Sequence, residues 1–219
     1  MEVIIVKILI LIGGATACGK STLANRLCND IPNSIKYRRY QGFFDISSKK
    51  NIPKNEIFKK ISSIEVDDWF VNVCSNSEVV ISDVHYAVQM NRNEMNTNAD
   101  VNIYQNYVST ISDDLLKKLS LENIRVIAIF LSCSPLQCFT RAISRYSETK
   151  KNIRNISLED ATMENLAEEK VWNNILATGL VEGFKLDSEH FSVEQLTDQC
   201  LKYLNSCKAK KLLRIKIDE

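Results

Sequence analysis

The sequence predicts an α/β fold in which a five-stranded parallel sheet carries helices on both faces. Three observations lead to this prediction. An apolar segment, 8–12, runs into the phosphate-loop pattern GxxxxGK[ST] at residues 14–21. Short apolar runs then alternate with segments of helical periodicity along the chain. Finally, 219 residues with 45% hydrophobic and 25% charged side chains are typical of one globular domain, so we expect a single domain over 1–219.

The first half of the chain predicts three strands and two helices. In the first helix, Leu23 and Leu27 lie four residues apart and share one face. The third strand is a fully apolar run, as in a buried parallel sheet, and it ends at Asp83. The predicted segments are strand 3–12, helix 20–29, strand 35–40, polar connection 41–54, helix 55–74 and strand 78–82. Residues 84–100 show little periodicity and many asparagines, which predicts a long loop or a loop interrupted by one short helix.

The second half is punctuated by helix-capping residues. Ser112 can cap one helix, and the Ser-x-x-Asp spacing at 157–160 and the Ser-x-x-Gln spacing at 192–195 predict the starts of two others. The predicted segments are helix 112–119, strand 125–131, helix 135–145, helix 157–178, strand 184–186 and helix 192–207. The charged tail, 208–219, can add an edge strand through its apolar residues at 212–217.

Composition narrows the function classes. A net charge of +1 gives no bulk electrostatic case for a nucleic-acid or membrane partner, and no apolar run reaches the ~20 residues of a membrane span. The apolar segment 3–12 enters the loop without a cleavage site, so it predicts a buried strand rather than a signal peptide. Seven scattered cysteines without a CxxC pair, together with two histidines, indicate reduced thiols and no structural zinc. We therefore expect a cytoplasmic protein.

The loop pattern predicts a phosphate site for physical reasons. Glycines let the backbone wrap a phosphate closely, with its amide hydrogens pointing inwards and the positive end of the next helix beside them. Lys20 would reach the β- and γ-phosphates, and the Ser21 hydroxyl would ligate Mg²⁺. The predicted nucleotide-binding residues of this segment are Gly14, Ala15, Thr16, Ala17, Cys18, Gly19, Lys20, Ser21 and Thr22.

The end of the third strand predicts a second functional group. A carboxylate there, Asp83, can orient Mg²⁺ or a phosphate acceptor beside the loop, although it can also simply cap the next turn. Motor-type ATPases usually place a Glu directly after this Asp to activate water, but this chain has Val84. An acceptor group is therefore favoured over water as the nucleophile.

Cations cluster after the fourth strand. Arg141 and Arg145 lie four residues apart near the end of a helix and share one face. A predicted lid, 146–156, follows with the further cations Lys150, Lys151 and Arg154. Such groups can neutralise the charge that develops in phosphoryl transfer, which makes the two arginines catalytic candidates. The alternative is that they only offset the dipole of the helix.

The order of the motifs resembles a known family. The segments GGATACGKST, DVHY, IAIFL and SPLQCFTRAISR follow one another as in the P-loop nucleoside monophosphate kinases, and are most similar to archaeal-type adenylate kinases and related small-molecule kinases. The resemblance implies a P-loop kinase fold with a short lid, ATP and Mg²⁺ as cofactors, and Asp187 beside the donor base. It covers the order of elements over nearly the whole chain, while its specific motifs are limited to the loop, the DVHY strand end and the arginine helix.

Acceptor specificity is where the chain departs from that pattern. The acceptor region is expected at 37–76 and 84–108. Candidates to bind the acceptor are Arg38, Arg39, His85 and Arg92, and solvated surface cations are the alternative for the three arginines.

Together these features predict Mg-ATP-dependent phosphoryl transfer to a nucleotide or nucleoside. The alternatives are a P-loop kinase of another small molecule or of a nucleic-acid 5′ end, and a regulatory module that binds ATP and hydrolyses it slowly.

Overall fold

The computed structural model describes residues 6–88, 108–109, 111–149 and 157–217, with side chains described for 6–87, 111–145 and 157–206. Three groups of predicted features therefore lie outside the described residues. They are Arg92, most of the acceptor loop 84–108, and the lid cations Lys150, Lys151 and Arg154. Of the predicted lid, residues 146–149 continue a helix, and the lid itself stays a prediction.

The described elements follow the predicted alternation. The strands are β1 (Ile8–Gly13), β2 (Ser34–Lys36), β3 (Val79–Asp83), β4 (Ala87–Val88), β5 (Val108–Ser109), β6 (Arg125–Ser132) and β7 (Val181–Asp187). The helices are α1 (Lys20–Asp30), α2 (Gln41–Lys50), α3 (Ile57–Lys60), α4 (Ser63–Ser75), α5 (Asp113–Leu121), α6 (Pro135–Thr149), α7 (Leu158–Ala177) and α8 (Val193–Ile217), with a 3-10 turn at Lys54–Glu56.

Five strands form one parallel sheet in the order β2-β3-β1-β6-β7, which confirms the predicted fold class. The register pairs Ile12 with Asp83, and Ser132 with Asp187. The carboxyl ends of β1, β3, β6 and β7 therefore meet at one edge, where ligands bind in open parallel sheets. Strands β4 and β5 form a separate antiparallel ribbon that the sequence did not predict.

Helices cover both faces of the sheet because the strands are apolar on both sides. In β1, Ile8, Ile10 and Ile12 belong to the core that includes residues of α1 and α8, whereas Leu9 and Leu11 belong to the core of α5 and α7. This alternation has the period of two that a strand imposes on its side chains. The phosphate loop is thereby anchored between two packed layers.

Three predicted segments are wrong, and two predicted strands have other bounds: the strand predicted over 35–40 ends at Lys36, and the one predicted over 184–186 begins at Val181. Residues 41–50 form α2 rather than a polar connection, because Ile46 buries against α3 and α4. The predicted helix 55–74 breaks before α4, where Ser62 and Glu65 form a capping box and start a new helix. The predicted edge strand at 212–217 instead continues α8, which contains no glycine or proline to end it.

The three helix starts predicted from capping residues are confirmed. Ser112 accepts a hydrogen bond from the Leu115 N–H, and Ser157 and Asp160 form the capping box of α7. The Ser192 N–H donates to Gln195 and the Gln195 N–H donates to Ser192, 2.8 and 3.3 Å between the atoms. Within the described part of the chain, no helix is both long and apolar enough to cross a membrane.

Candidate active site

The predicted phosphate loop connects β1 to α1 and depends on its glycines. Gly14 and Gly19 have φ angles of 132° and 101°, which L side chains rarely adopt. A Cβ on Gly14 would also lie 2.5 Å from the Leu131 carbonyl oxygen of β6. Glycine is therefore required at position 14 both by its φ angle and by the close approach of β6. The loop ends at the N-terminus of α1, where unpaired N–H groups and the helix dipole favour an anion.

The first turn of α1 carries Lys20, Ser21 and Thr22. Lys20 is 9% exposed, and its Nζ donates to the carbonyl oxygens of Gly14 and Ala15 at 2.7 Å each. The ammonium group therefore lies against the loop that would contact the phosphates. The neighbouring Thr22 side chain is exposed.

Ser21 and Asp83 meet across the loop. The Ser21 Oγ donates to Asp83 Oδ2 at 2.5 Å, and the Asp83 side chain is 3% exposed. The pairing of Ile12 with Asp83 in the sheet places this carboxylate beside the loop. A hydroxyl and a carboxylate at this separation fit Mg²⁺, which prefers oxygen ligands and usually takes one or two from the protein. Both predicted metal ligands therefore belong to one site.

Arg38 binds the same pair of groups. Its Nε donates to Asp83 Oδ1 at 2.6 Å, its Nη2 pairs with Asp83 Oδ2, and Nη2 lies 3.2 Å from Ser21 Oγ. Lys36 Nζ adds a second cation 3.6 Å from Asp83 Oδ1. Burial favours the neutral form of the Asp83 carboxyl, but hydrogen bonds from Arg38 and Ser21 outweigh it, so the pKa of Asp83 lies below its usual value.

A cavity of about 310 Å³ opens beside these groups, and we call it the first cavity. Its walls come from the loop helix and from the segments after β2 and β3. They comprise Lys20, Ser21, Arg38, Arg39, Tyr40, Asp83, Val84, His85 and Ile111. The cavity thus brings Lys20 and both predicted metal ligands together with three of the four acceptor candidates. Arg39 is held there by an ion pair with Asp67 of α4.

Two buried carboxylates of α7 support the site, and sequence reasoning missed both. Glu164 Oε1 accepts from the Thr16 N–H at 2.9 Å and from the Thr16 hydroxyl at 2.7 Å. The Thr16 N–H therefore points at a carboxylate in this structure. Glu168 accepts from the Tyr86 N–H at 2.7 Å and contacts His85 Nδ1 at 3.1 Å. Their spacing of four residues places both glutamates on the buried face of α7, and this spacing could have indicated them. A charged group on a buried face needs a partner.

His85, Glu164 and Glu168 each offer a ligand atom, and these atoms all lie within 4.8 Å of one another. That geometry suits a cation. The carboxylate oxygens, however, already accept the hydrogen bonds that hold the phosphate loop and the segment after β3. Their observed role is to connect α7 to both parts of the site.

A second cavity, also about 310 Å³, lies at the carboxyl ends of β6 and β7. Its walls comprise Phe130, Ser132, Cys133, Ser134, Pro135, Thr162, Asn165, Leu166, Glu169, Asp187 and Glu189. Asp187, the predicted donor-base residue, accepts from the Glu189 N–H at 2.8 Å and pairs with His190 Nδ1 at 2.7 Å. The hydrogen bond from His190 holds the pKa of Asp187 below its usual value.

The two arginines of α6 do not line the first cavity. Arg141 donates through Nη2 to the Ser188 carbonyl oxygen at 2.8 Å, and its Nη1 lies 3.6 Å from Cys133 Sγ. It therefore lies at the ends of β6 and β7, beside the second cavity. Arg145 lies one turn further along α6 and is exposed. A hydrogen bond from Cys138 and the charge of Arg141 lower the pKa of Cys133 below its usual value despite its burial.

Comparison with known proteins bears on the fold. No protein-family model matches the chain, and no curated sequence matches it. Among solved structures, deoxyadenosine kinase from M. mycoides with bound dATP matches with a TM-score of 0.51 and 19% identity, over 90% of this chain and 99% of that one. A protein from Chloroflexus aurantiacus, provisionally assigned as a kinase, matches with a TM-score of 0.51 and 12% identity, over 93% of this chain and 99% of that one. The chain thus has the fold of P-loop kinases, and these likenesses do not single out the adenylate kinases.

Proposed function

We propose that the protein is a Mg-ATP-dependent phosphotransferase whose acceptor is a nucleotide or nucleoside. The observation that carries this proposal is the first cavity. It joins the loop lysine, a Ser–Asp pair suited to Mg²⁺ and a wall with two arginines and a histidine. A site for hydrolysis alone needs only the loop and a water, so a cavity with two arginines and a histidine in its wall supports transfer to an acceptor.

Each residue is given a role in the proposed reaction according to its position in the site. Lys20 and the loop amides other than the Thr16 N–H, which donates to Glu164, bind the donor phosphates, and Ser21 and Asp83 hold the metal. Bound Mg²⁺ would offset negative charge on the phosphate oxygens. Arg38, Arg39 and His85 face the acceptor, and Arg92 is a fourth candidate for that role.

The second cavity supplies a place for the donor base beside Asp187. Arg141 lies at this cavity, and Arg145 follows it on α6. We assign both to stabilising the transferring phosphoryl group. Catalysis on this arrangement depends on positioning and charge stabilisation rather than on a covalent intermediate.

An acceptor panel tests the proposal. Purified protein is incubated with Mg-ATP and, one at a time, with nucleosides, nucleoside monophosphates, sugars and a 5′-hydroxyl oligonucleotide, and ADP release is measured. We expect one nucleoside or nucleotide to raise turnover far above the basal rate. Stimulation by a sugar or an oligonucleotide alone would move the assignment to another P-loop kinase. If no acceptor raises turnover, the regulatory ATPase replaces the kinase.

Lys20→Ala tests whether the loop carries the reaction. We expect loss of transfer with the fold retained, because the variant removes the cation at the donor phosphates. Lys50→Ala is the matched control, since Lys50 is exposed, pairs with Glu65 and lines neither cavity. Transfer preserved in the Lys20 variant would remove the loop from the mechanism.

A further inference from the structure

Arg38 forms hydrogen bonds with the oxygen atoms that would ligate the metal. Its guanidinium donates to both oxygens of Asp83 and also contacts Ser21 Oγ. These contacts are charge-assisted and forked, which is the geometry in which arginine binds a carboxylate most strongly. The guanidinium is the donor in each of these contacts, and it stays charged because arginine is not deprotonated in proteins.

A guanidinium and Mg²⁺ make incompatible demands on these oxygens. Mg²⁺ coordinates oxygen lone pairs at about 2.0–2.1 Å in near-octahedral geometry. Arg38 and Ser21 already use three of the about four acceptor positions of the Asp83 carboxylate, and the Arg38 cation would repel Mg²⁺ at that distance. We therefore expect the two cations to compete for Ser21 and Asp83.

We propose that Arg38 and Mg²⁺ are alternative partners of the Ser21–Asp83 pair, so that binding of the metal nucleotide moves the Arg38 guanidinium into the first cavity. The proposal rests on the proposed function, because it concerns the same metal and donor. It makes Arg38 a positioning residue that determines metal affinity and couples metal binding to the charge of the acceptor cavity.

The surroundings of Arg38 allow this exchange. Its Nη1 lies 3.1 Å from the Tyr40 hydroxyl, and its guanidinium carbon lies 5.9 Å from the centre of the Tyr40 ring. Arg38 and Tyr40 both line the first cavity, so the guanidinium already has a second partner inside it. A small rotation of the side chain would therefore exchange a carboxylate partner for an aromatic one, without moving β2.

Arg39 provides a matched control. It is the next residue, lines the same cavity and carries the same charge, but it pairs with Asp67 instead of Asp83. A general electrostatic effect on metal binding would appear in both arginine variants. Competition for the metal ligands would appear only in the Arg38 variant.

The test measures metal binding without catalysis. Mn²⁺ replaces Mg²⁺, and free Mn²⁺ is followed by electron paramagnetic resonance in the presence of ADP, for the wild type, Arg38→Gln, Arg39→Gln and Asp83→Asn. We expect Arg38→Gln to bind Mn²⁺ about tenfold more tightly, as loss of one competing charge-assisted contact implies. Arg39→Gln should match the wild type, and Asp83→Asn should bind much more weakly.

Several results would overturn the exchange. Weaker or unchanged Mn²⁺ binding by Arg38→Gln would show that Arg38 supports Asp83 instead of competing with the metal. If Arg39→Gln bound Mn²⁺ more tightly by the same factor, the effect would come from the loss of a positive charge in the cavity and not from competition for the metal ligands. Wild-type binding by Asp83→Asn, or no Mn²⁺ binding by the wild type, would contradict the metal site itself. The Mn²⁺ measurement and the acceptor panel can fail independently. If Arg38→Gln binds Mn²⁺ more tightly but no acceptor raises turnover, only the proposed function is contradicted. If an acceptor raises turnover but Arg38→Gln binds Mn²⁺ like the wild type, only this inference is contradicted.

Discussion

Replacing Glu168 by glutamine tests whether the buried carboxylate holds the segment after β3. The Glu168 side chain is 1% exposed. Its oxygens accept from the Tyr86 N–H at 2.7 Å and from the Ala87 N–H at 3.4 Å, and contact His85 Nδ1 at 3.1 Å. Glu168→Gln keeps the shape of the side chain and removes one of its two acceptor oxygens.

The expected loss of stability in Glu168→Gln follows from the hydrogen bonds that change. The remaining carbonyl oxygen can still accept from Tyr86, but the new NH₂ group faces the Ala87 N–H or the His85 ring. A hydrogen bond to a charged group contributes about 1.5–3 kcal/mol, and a buried donor left unpaired costs about 1–3 kcal/mol. We therefore expect the free energy of unfolding to fall by about 2–4 kcal/mol. For a chain of this size, each kcal/mol lowers Tm by about 2–4 °C.

Urea unfolding followed by circular dichroism measures the change, with the slope of the transition expected to stay the same. Glu169→Gln is the control, because Glu169 is adjacent on α7 but 43% exposed, in an ion pair with Lys185. Such a pair contributes about 0–1 kcal/mol. If the two variants differ by less than about 1 kcal/mol, Glu168 does not hold this segment and the reasoning is refuted.

Three further outcomes are expected. Gly13→Ala should lower the free energy of unfolding by at least about 2 kcal/mol in the same assay, because the new Cβ would lie 2.0 Å from Tyr86 Cε2. A smaller loss would mean that the Tyr86 ring can move aside. Tyr86→Phe should cost about 1–2 kcal/mol, since the hydroxyl contacts carbonyl oxygens of β1 and β6, and full stability would contradict this. Cys133 alkylation, followed by mass spectrometry, should become fast at a lower pH than for an ordinary thiol, because the contacts with Cys138 and Arg141 lower the pKa of Cys133. A rise in rate only above about pH 8.5, the range of an ordinary thiol, would exclude that environment.

Some of the candidate site could be predicted because its signals are local. The glycines at 14 and 19 and the following Lys20-Ser21 lie within one short pattern, and each has a backbone or charge requirement. Asp83 could be predicted from its place at the end of an apolar strand. Parallel pairing then brings it beside the loop without further information.

The supporting residues could not be placed in the same way. Glu164 meets Thr16 across 148 positions of the chain, and Arg38 meets Asp83 across 45. An exposed helix carries glutamates at the same spacing, so the pattern alone does not distinguish a buried carboxylate from a solvated one. Which arginine binds Asp83 is likewise decided by the packing of β2 against β3.

By itself, the sequence determined the phosphate loop, the parallel α/β sheet and the caps that begin several helices, because each depends on neighbouring residues and on their periodicity. Only the tertiary structure decided that Arg38 shares the oxygens of Ser21 and Asp83, that Arg141 lies by the second cavity, and that α7 holds the loop through buried carboxylates. The reason is that charged groups choose partners by distance in space, and distant parts of the chain become neighbours only when the sheet and its two helical layers have packed.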